Sequence, residues 1–326
     1  MKYQMSKGYM DSPENLYFQN MTGTAVKERL KTNDIILIPI GSTEYHGMGQ
    51  PHGEDTFLVT RMGEIVAREK GCTISQPIWF GSHSWNQIGM PGTIVIPEET
   101  FTDYLRAIYA GYWNAGFRKM ILLNGHGQEY IIPNSIHTFV KNTQVPCMFA
   151  FVNWPTVIAK YLRAKEFDVN DTPFETAFRH ADEVECSYAM ALFPELNHKE
   201  QMEDTKNWPK KHVLSPKTID LGGDVYQWPL PGHQTCGLGQ LEVKQYPEGV
   251  LGYPKTKADP AKADEGLEVL LDFICSVHDE ILAAYPPGEL PLEMTELAEA
   301  DPKLLDDLLK GPFNGGRSLY SYIYPI

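Results

Sequence analysis

Six consecutive apolar residues, Ile35 to Ile40, run straight into a polar, glycine-rich segment, and the same change of pattern recurs through the first half of the chain. Each short apolar run predicts a buried strand, and each polar break after it predicts a loop at the strand's carboxyl end. Phe57, Leu58, Met62, Ile65 and Val66 recur at helical spacing and predict a helix from about Thr56 to Gly71. Cys72 to Phe80 reads as a second strand and Ile94 to Ile96 as a short extended piece. Pro97 and two glutamates then open a long helix through Asn114, which Gly116 closes. The strand Met120 to Leu123, a helix to about Asn142 and the strand Pro146 to Val152 repeat the order. Strands alternating with helices predict an α/β fold, here a three-layer α/β/α arrangement around a mostly parallel sheet.

The second half is less regular. Lys165 to Arg179 is polar and reads as a loop or lid, and Glu183 to Leu192 as a helix. From Asn197 to Lys255 the abundance of Pro, Gly and Trp predicts irregular excursions with a small hairpin. Pro260 starts a helix over Ala263 to Ala284, and an acidic tail, Glu293 to Leu309, predicts one or two short helices before the aromatic run Tyr320 to Tyr324. We therefore expect one domain over residues 21–285 and a C-terminal extension over 286–326. The N-terminal Glu14-Asn-Leu-Tyr-Phe-Gln19 matches the recognition sequence of a protease used to remove expression tags. On that match residues 1–20 are expected to lie outside the fold.

Composition narrows the partners. A net charge of −14 over 326 residues, with no basic stripe, disfavours nucleic acid. No apolar run approaches the roughly 18 residues of a membrane span. The five cysteines are scattered and lack Cys-x-x-Cys spacing, which suits reduced thiols in a cytoplasm.

The loop after Ile40 carries Glu44, His46, His52, Glu54 and Asp55 within a dozen residues. That density of carboxylate and imidazole suggests a divalent cation, against the plain alternative of a solvated polar loop. Two further loops tip the balance: Asn124 to Glu129 supplies His126, and His180 to Ser187 supplies His180, Glu183 and Glu185. Groups at successive strand ends converge on one rim of a parallel sheet. Glu183 reads as a helix N-terminal carboxylate and His137, His198, His212, His233 and His278 as structural or surface residues.

These motifs, Gly41-Ser-Thr-Glu-Tyr-His-Gly47 with Asp55, Pro91-Gly-Thr-Ile94, Asn124-Gly-His-Gly127 and His180-Ala-x-Glu-x-Glu-x-Ser187, resemble those of the creatininase family in order and spacing. The resemblance spans roughly residues 23–285. It implies a metal-dependent hydrolase with Zn²⁺, or alternatively Mn²⁺, one or two ions per chain. By position it makes Glu44 and His126 ligands of one metal, His46 a ligand of a second, Asp55 the bridging carboxylate and Glu185 a further ligand or close neighbour. His180 becomes the proton shuttle to the leaving group. Creatininase has a glutamate ligand where this chain has Gln128, so Glu185 or Glu129 is expected to complete the second site, or that site is weak.

Substrate contacts are expected from His52, Glu54, His83 and Gln128, with Trp154 either a pocket wall or ordinary core. The favoured reaction is hydrolysis of a carbon–carbon bond in a cyclic diketone of the 3-dehydro-scyllo-inosose type, in inositol catabolism. A cyclic-amide hydrolase of the creatininase type and a non-catalytic metal-binding scaffold are the rivals. The resemblance also implies a homo-oligomer, in many members a hexamer, acting on a small molecule.

Overall fold

The computed structural model describes residues 2–6, 8, 16–83, 87–165, 170–205 and 247–324. Four parallel strands, β1 (Ile35–Ile40), β2 (Thr73–Ile74), β3 (Lys119–Asn124) and β4 (Met148–Asn153), lie in the order β2-β1-β3-β4. Their side chains alternate between faces, as the two-residue period of a strand requires. Ile35, Leu37, Ile121 and Leu123 enter one apolar cluster, and Ile36, Ile38, Ile40, Met120 and Leu122 enter the other. Both faces are therefore covered, which explains why β1 and β3 read as continuous apolar runs.

On the first face lie α2 (Glu54–Lys70), α6 (Glu183–Leu192) and the helix Asp264–Ala284. The second carries α3 (Glu98–Asn114) and α4 (Ile131–Thr143). A short α1 (Gly23–Leu30), begun by the Thr22 side chain capping Ala25 N–H, leads into β1, and α5 (Trp154–Val157) follows β4 directly. The three layers are those expected, and helix boundaries fall within a few residues of the sequence reading. Among the described residues no helix is long and apolar enough to cross a membrane.

Two expectations are corrected. Residues 16–20 belong to the fold: Tyr17 is fully buried, bridges Ile74 beside β2, and donates its hydroxyl to Glu64 Oε1 at 2.6 Å. The strand expected over Cys72 to Phe80 shrinks to two residues, with one isolated bridge from Ile40 to Ile78, because Pro77 has no N–H to continue the ladder. The short piece Ile94 to Ile96 lies outside the sheet, its N–H groups at Ile94 and Ile96 donating to the Thr43 carbonyl at 3.0 Å and the Gly81 carbonyl at 3.1 Å.

The C-terminal extension packs onto the second face. Leu297, Leu305, Leu308 and Leu319 are buried there, Arg118 Nη2 donates to the Leu309 carbonyl at 2.9 Å, and Tyr320 Oη donates to the Ala107 carbonyl at 2.7 Å. At the amino edge of the sheet, buried Lys119 Nζ reaches both Asp34 carboxylate oxygens at 2.6 Å and the Pro286 carbonyl at 3.3 Å. That contact ties the extension to β1 and β3. Most of the irregular stretch after Asn197, with its expected hairpin, His212, His233 and Cys236, lies outside the described residues. Cys72, Cys147, Cys186 and Cys275 are free thiols.

Candidate metal centre

At the carboxyl ends of β1 and β3 two loops descend onto the first turn of α2. Two glycines permit the approach. A Cβ on Gly41 would strike the backbone of Thr56, and one on Gly125 the carbonyl of Asp55. Thr56 Oγ1 donates to the Ser42 carbonyl at 3.1 Å, and the Ser42 hydroxyl donates to Asp55 Oδ2. Asp55 is thereby fixed between the two loops, and α6 brings Glu185 from a third direction.

The side chains gather into two touching groups with Asp55 in both. In one, His126 Nδ1 lies 3.0 Å from Glu44 Oε2 and 3.3 Å from Asp55 Oδ2. In the other, His46 Nε2 lies 3.5 Å from Asp55 Oδ1, 3.5 Å from Glu54 Oε2 and 3.7 Å from Glu185 Oε2. Four ligands at bond lengths near 2.1 Å around a tetrahedral ion stand about 3.4 Å apart, so the second group, whose four ligand atoms lie within 4.8 Å of one another, fits a small divalent cation. Asp55 presents one oxygen to each group, the geometry of a bridging carboxylate. His83, Glu44 and His126 also lie close enough to share an ion, as do Glu44, His46 and His180.

Hydrogen bonds at the back of the site orient the rings. His46 Nδ1 donates to the Glu44 carbonyl at 3.1 Å, leaving the Nε2 lone pair toward the carboxylates. His180 Nε2 donates to the Tyr45 carbonyl at 2.9 Å, so Nδ1 faces Glu44 Oε1 at 3.6 Å. Ala181 adopts a left-handed backbone, φ 46°, and its N–H bonds Glu185 Oε2 at 2.5 Å. Gln87, which sequence reasoning did not single out, donates to Glu44 Oε1 and accepts from His83 Nδ1 at 2.7 Å. Nothing in its local sequence marked it.

Burial disfavours every charge here, and the partners decide which survive. Asp55 is held well below the usual carboxylate range because His126 and His46 outweigh its burial. Glu44, beside His180 and His126, is likewise lowered, to about 2. Burial raises Glu54 and Glu185 well above their ordinary value; Glu185 adds to this at Glu54, and Asp55 does so at Glu185. Against its own burial, His46 is raised to about 10 by Asp55, Glu54 and Glu44. Carboxylates that attract a proton to this nitrogen attract a cation by the same force. His180 is lowered, chiefly by burial, and so is neutral near pH 7.

Of the expected substrate contacts, Gln128 is corrected, and Trp154 takes the core alternative of the two left open. Gln128 is fully buried with its amide committed: Oε1 accepts from Ser82 N–H at 3.0 Å, and Nε2 donates to the Gly41 carbonyl at 3.0 Å and Asn124 Oδ1 at 3.3 Å. It pins loops together. Trp154 is core, packed edge-on to Phe178 with ring centroids 5.2 Å apart and tilted against Tyr188 at 5.1 Å. Glu54 and His83 are buried among the ligand groups, whereas His52 is exposed beside the Tyr45 ring. Of the two acids offered for the second site, Glu185 joins the cluster and Glu129 does not. Glu183 is structural, accepting from the backbone of Glu175 and Thr176 and pairing with Lys262 Nζ at 2.6 Å.

A buried carboxylate–imidazole cage at the carboxyl rim of a parallel sheet belongs to the class of metal-dependent hydrolases with an α/β/α fold. The family profile described as creatininase, creatinine amidohydrolase, matches residues 19–277, and the chain belongs to the creatininase family. It is 47% identical over 314 residues to a 3-dehydro-scyllo-inosose hydrolase of Thermotoga maritima, covering 96% of this chain and 98% of that one. It is 23% identical over 199 residues to a creatinine amidohydrolase of Pseudomonas putida, covering 56% of this chain and 74% of that one. Among solved structures, a glutamate-to-glutamine mutant of creatininase complexed with creatine superposes with a TM-score of 0.61 at 20% identity, over 84% of this chain and all of that one. A creatininase described as the Mn form gives the same score, 0.61, at 20% identity over the same shares. These structural likenesses establish the shared fold.

Proposed function

We propose that this enzyme cleaves a carbon–carbon bond in a cyclic inositol-derived diketone of the 3-dehydro-scyllo-inosose type. The observation that carries the choice of substrate is the 47% identity over nearly the whole of both chains to the hydrolase of that compound. Glu44 and His126 would hold one divalent ion, His46 and Glu185 a second, with Asp55 shared. Zn²⁺ suits this donor set best and Mn²⁺ next. A cation so held supplies an acidified water and polarises the carbonyl.

The chain's own groups then have defined work. In hydrolysis of a β-diketone, hydroxide adds to one carbonyl, the adjacent carbon–carbon bond breaks, and the departing fragment leaves as an enolate that must be protonated. His180 is neutral and its Nδ1 points at the ligand cluster, so it can take the proton released by the water and return it to the enolate carbon. Tyr45, through its carbonyl, keeps the ring in that tautomer.

We place the enzyme in inositol breakdown in a reducing cytoplasm, as its dispersed free thiols suit, and infer a homo-oligomer. Exposed Phe80, Ile88, Ile94, Tyr104, Tyr130 and Tyr324 offer apolar surface for subunit contact. The deciding experiment compares hydrolysis of the cyclic diketone with that of creatinine by Zn²⁺-loaded protein. Ring opening of the diketone alone supports this reading. Turnover of creatinine alone would transfer the enzyme to the amidohydrolases, and turnover of neither would sink it.

A further inference from the structure

The amide of Gln128 is spent on backbone and Asn124, so the second cation group lacks the carboxylate that the family resemblance expects at that position. A different carboxylate stands there. Glu54 is the first residue of α2, its side chain is wholly buried, and neither of its carboxylate oxygens has a hydrogen-bond partner among the described residues. The other two acids of the group are partnered: Asp55 accepts from the Ser42 hydroxyl and Glu185 from the Ala181 N–H. His46 Nε2, which Glu54 Oε2 approaches to 3.5 Å, is also without a hydrogen bond and buried.

We propose that Glu54 is a direct ligand of the second divalent cation, completing a His46–Glu54–Asp55–Glu185 set in place of the carboxylate replaced by Gln128. This rests on the reading of the cage as a two-ion centre and extends it to a residue that no part of that reading requires. Three independent facts meet in it. One ligand atom from each of the four residues lies within 4.8 Å of all the others. A buried carboxylate without donors is costly unless paired or bound to metal. And the rigid start of α2 fixes Glu54 and Asp55 side by side, so that one helical turn delivers both. The sequence placed Glu54 toward substrate; here the loops held down by Gly41 and Gly125 close over both acids at the start of α2.

The test uses full-length protein stripped with chelator and titrated with Zn²⁺ alone. Equivalents retained after gel filtration are counted by elemental analysis, and the affinity of each is measured by competition with a chromophoric chelator. Glu54→Gln keeps the side chain's shape and removes its charge. Loss of an outer partner already weakens metal sites by about 10–100-fold, so loss of a direct ligand should weaken one equivalent by about 100-fold or more and leave the other unchanged. The same variant should also lose most of the rise in melting temperature that the second equivalent gives wild type. His126→Ala should weaken the opposite equivalent. Unchanged affinities and melting increments in Glu54→Gln would overturn the assignment of Glu54 while leaving the two-ion centre intact. A wild-type chain that retains no Zn²⁺ would overturn both.

Discussion

Gln128→Glu restores the side chain that the family resemblance expects, and the structure says that it damages the protein instead of repairing a metal site. The orientation of the Gln128 amide is set by its surroundings: Ser82 N–H must meet an oxygen, so the nitrogen faces the Gly41 carbonyl at 3.0 Å and Asn124 Oδ1 at 3.3 Å. A carboxylate there puts an anionic oxygen against two acceptors. Two donated hydrogen bonds are lost with their acceptors left buried, at about 1–3 kcal/mol each, so the variant should lose about 2–6 kcal/mol. Against a total stability of about 5–15 kcal/mol that is a large fraction. Urea unfolding followed by fluorescence reads it as a fall in midpoint at unchanged slope. The introduced carboxyl has its folded pKa raised by burial and by the facing carbonyls, so the deficit is greatest near pH 8. It shrinks as pH falls toward 5, where protonation restores one donor. A variant as stable as wild type across that range, or one that retains an additional equivalent of Zn²⁺, would refute the reasoning.

Other perturbations separate chemistry from scaffold. His180→Ala should retain its Zn²⁺ while turnover of a confirmed substrate falls by about two to four decades; an undiminished rate removes the proton-shuttle role. Because Tyr17 is buried against Ile74 and Glu64, the protease that reads Glu14 to Gln19 should leave the native chain whole and cut it only in denaturant. Rapid native cleavage would mean that residues 16–20 do not pack as described. His278 is buried, accepts from Asn33 Nδ2 at 2.9 Å and donates to Asp279 Oδ1 at 2.9 Å; burial holds its pKa below normal, with the Lys70 charge adding to the effect. The unfolded chain therefore binds this proton first as pH falls, and stability drops below about pH 6.5. His278→Gln should melt with a flatter dependence between pH 7.5 and 5.5, and an unchanged profile would assign the acid sensitivity elsewhere.

Much of the fold was legible because β1, β3, α2, α3 and α6 announce themselves by local signals: unbroken apolar runs, helical spacing, and acids or prolines at helix starts. What escaped was decided over distance. Tyr17 sits in a sequence that matches the recognition site of a tag-removing protease, and only its burial against Ile74 and Glu64 brings it into the fold. The leucines of the tail form a clear apolar stripe, yet nothing local says that they join the cluster on the face of α3 and α4. At the site, the residue types were readable but their directions were not. Gln128 and Trp154 occupy strand-end positions that commonly face ligand. Here the Ser82 N–H turns one inward and Phe178 with Tyr188 enclose the other. Glu54 differed by one step along a helix from Asp55, and the neighbouring loops determined that both point into the cage. Gln87 carried no signal because its role, joining His83 to Glu44, exists only after three segments meet.

The same cage makes cation binding part of the enzyme's stability. Glu44 and Asp55 share His126, but Glu54, Asp55 and Glu185 crowd around the single imidazole of His46, and burial with their mutual repulsion raises Glu54 and Glu185 well above the ordinary carboxylate range unless a cation joins them. An ion that binds only the folded chain stabilises it by mass action, about 4.1 kcal/mol when free metal exceeds the dissociation constant a thousandfold. For a domain of 150–250 residues that corresponds to about 8–16 °C in melting temperature, and somewhat less for this longer chain. Chelation should lower the midpoint by an amount of that order, and Zn²⁺ should restore it where Mg²⁺, which favours oxygen ligands and keeps its waters, does not. The decrement should also be smaller near pH 5, because protonated Glu54 and Glu185 no longer repel each other in the stripped protein. If chelated and loaded protein melt together, with elemental analysis showing that metal was removed, the four acids are accommodated by protonation alone, and the link between charge burial and cation binding argued from this geometry is wrong.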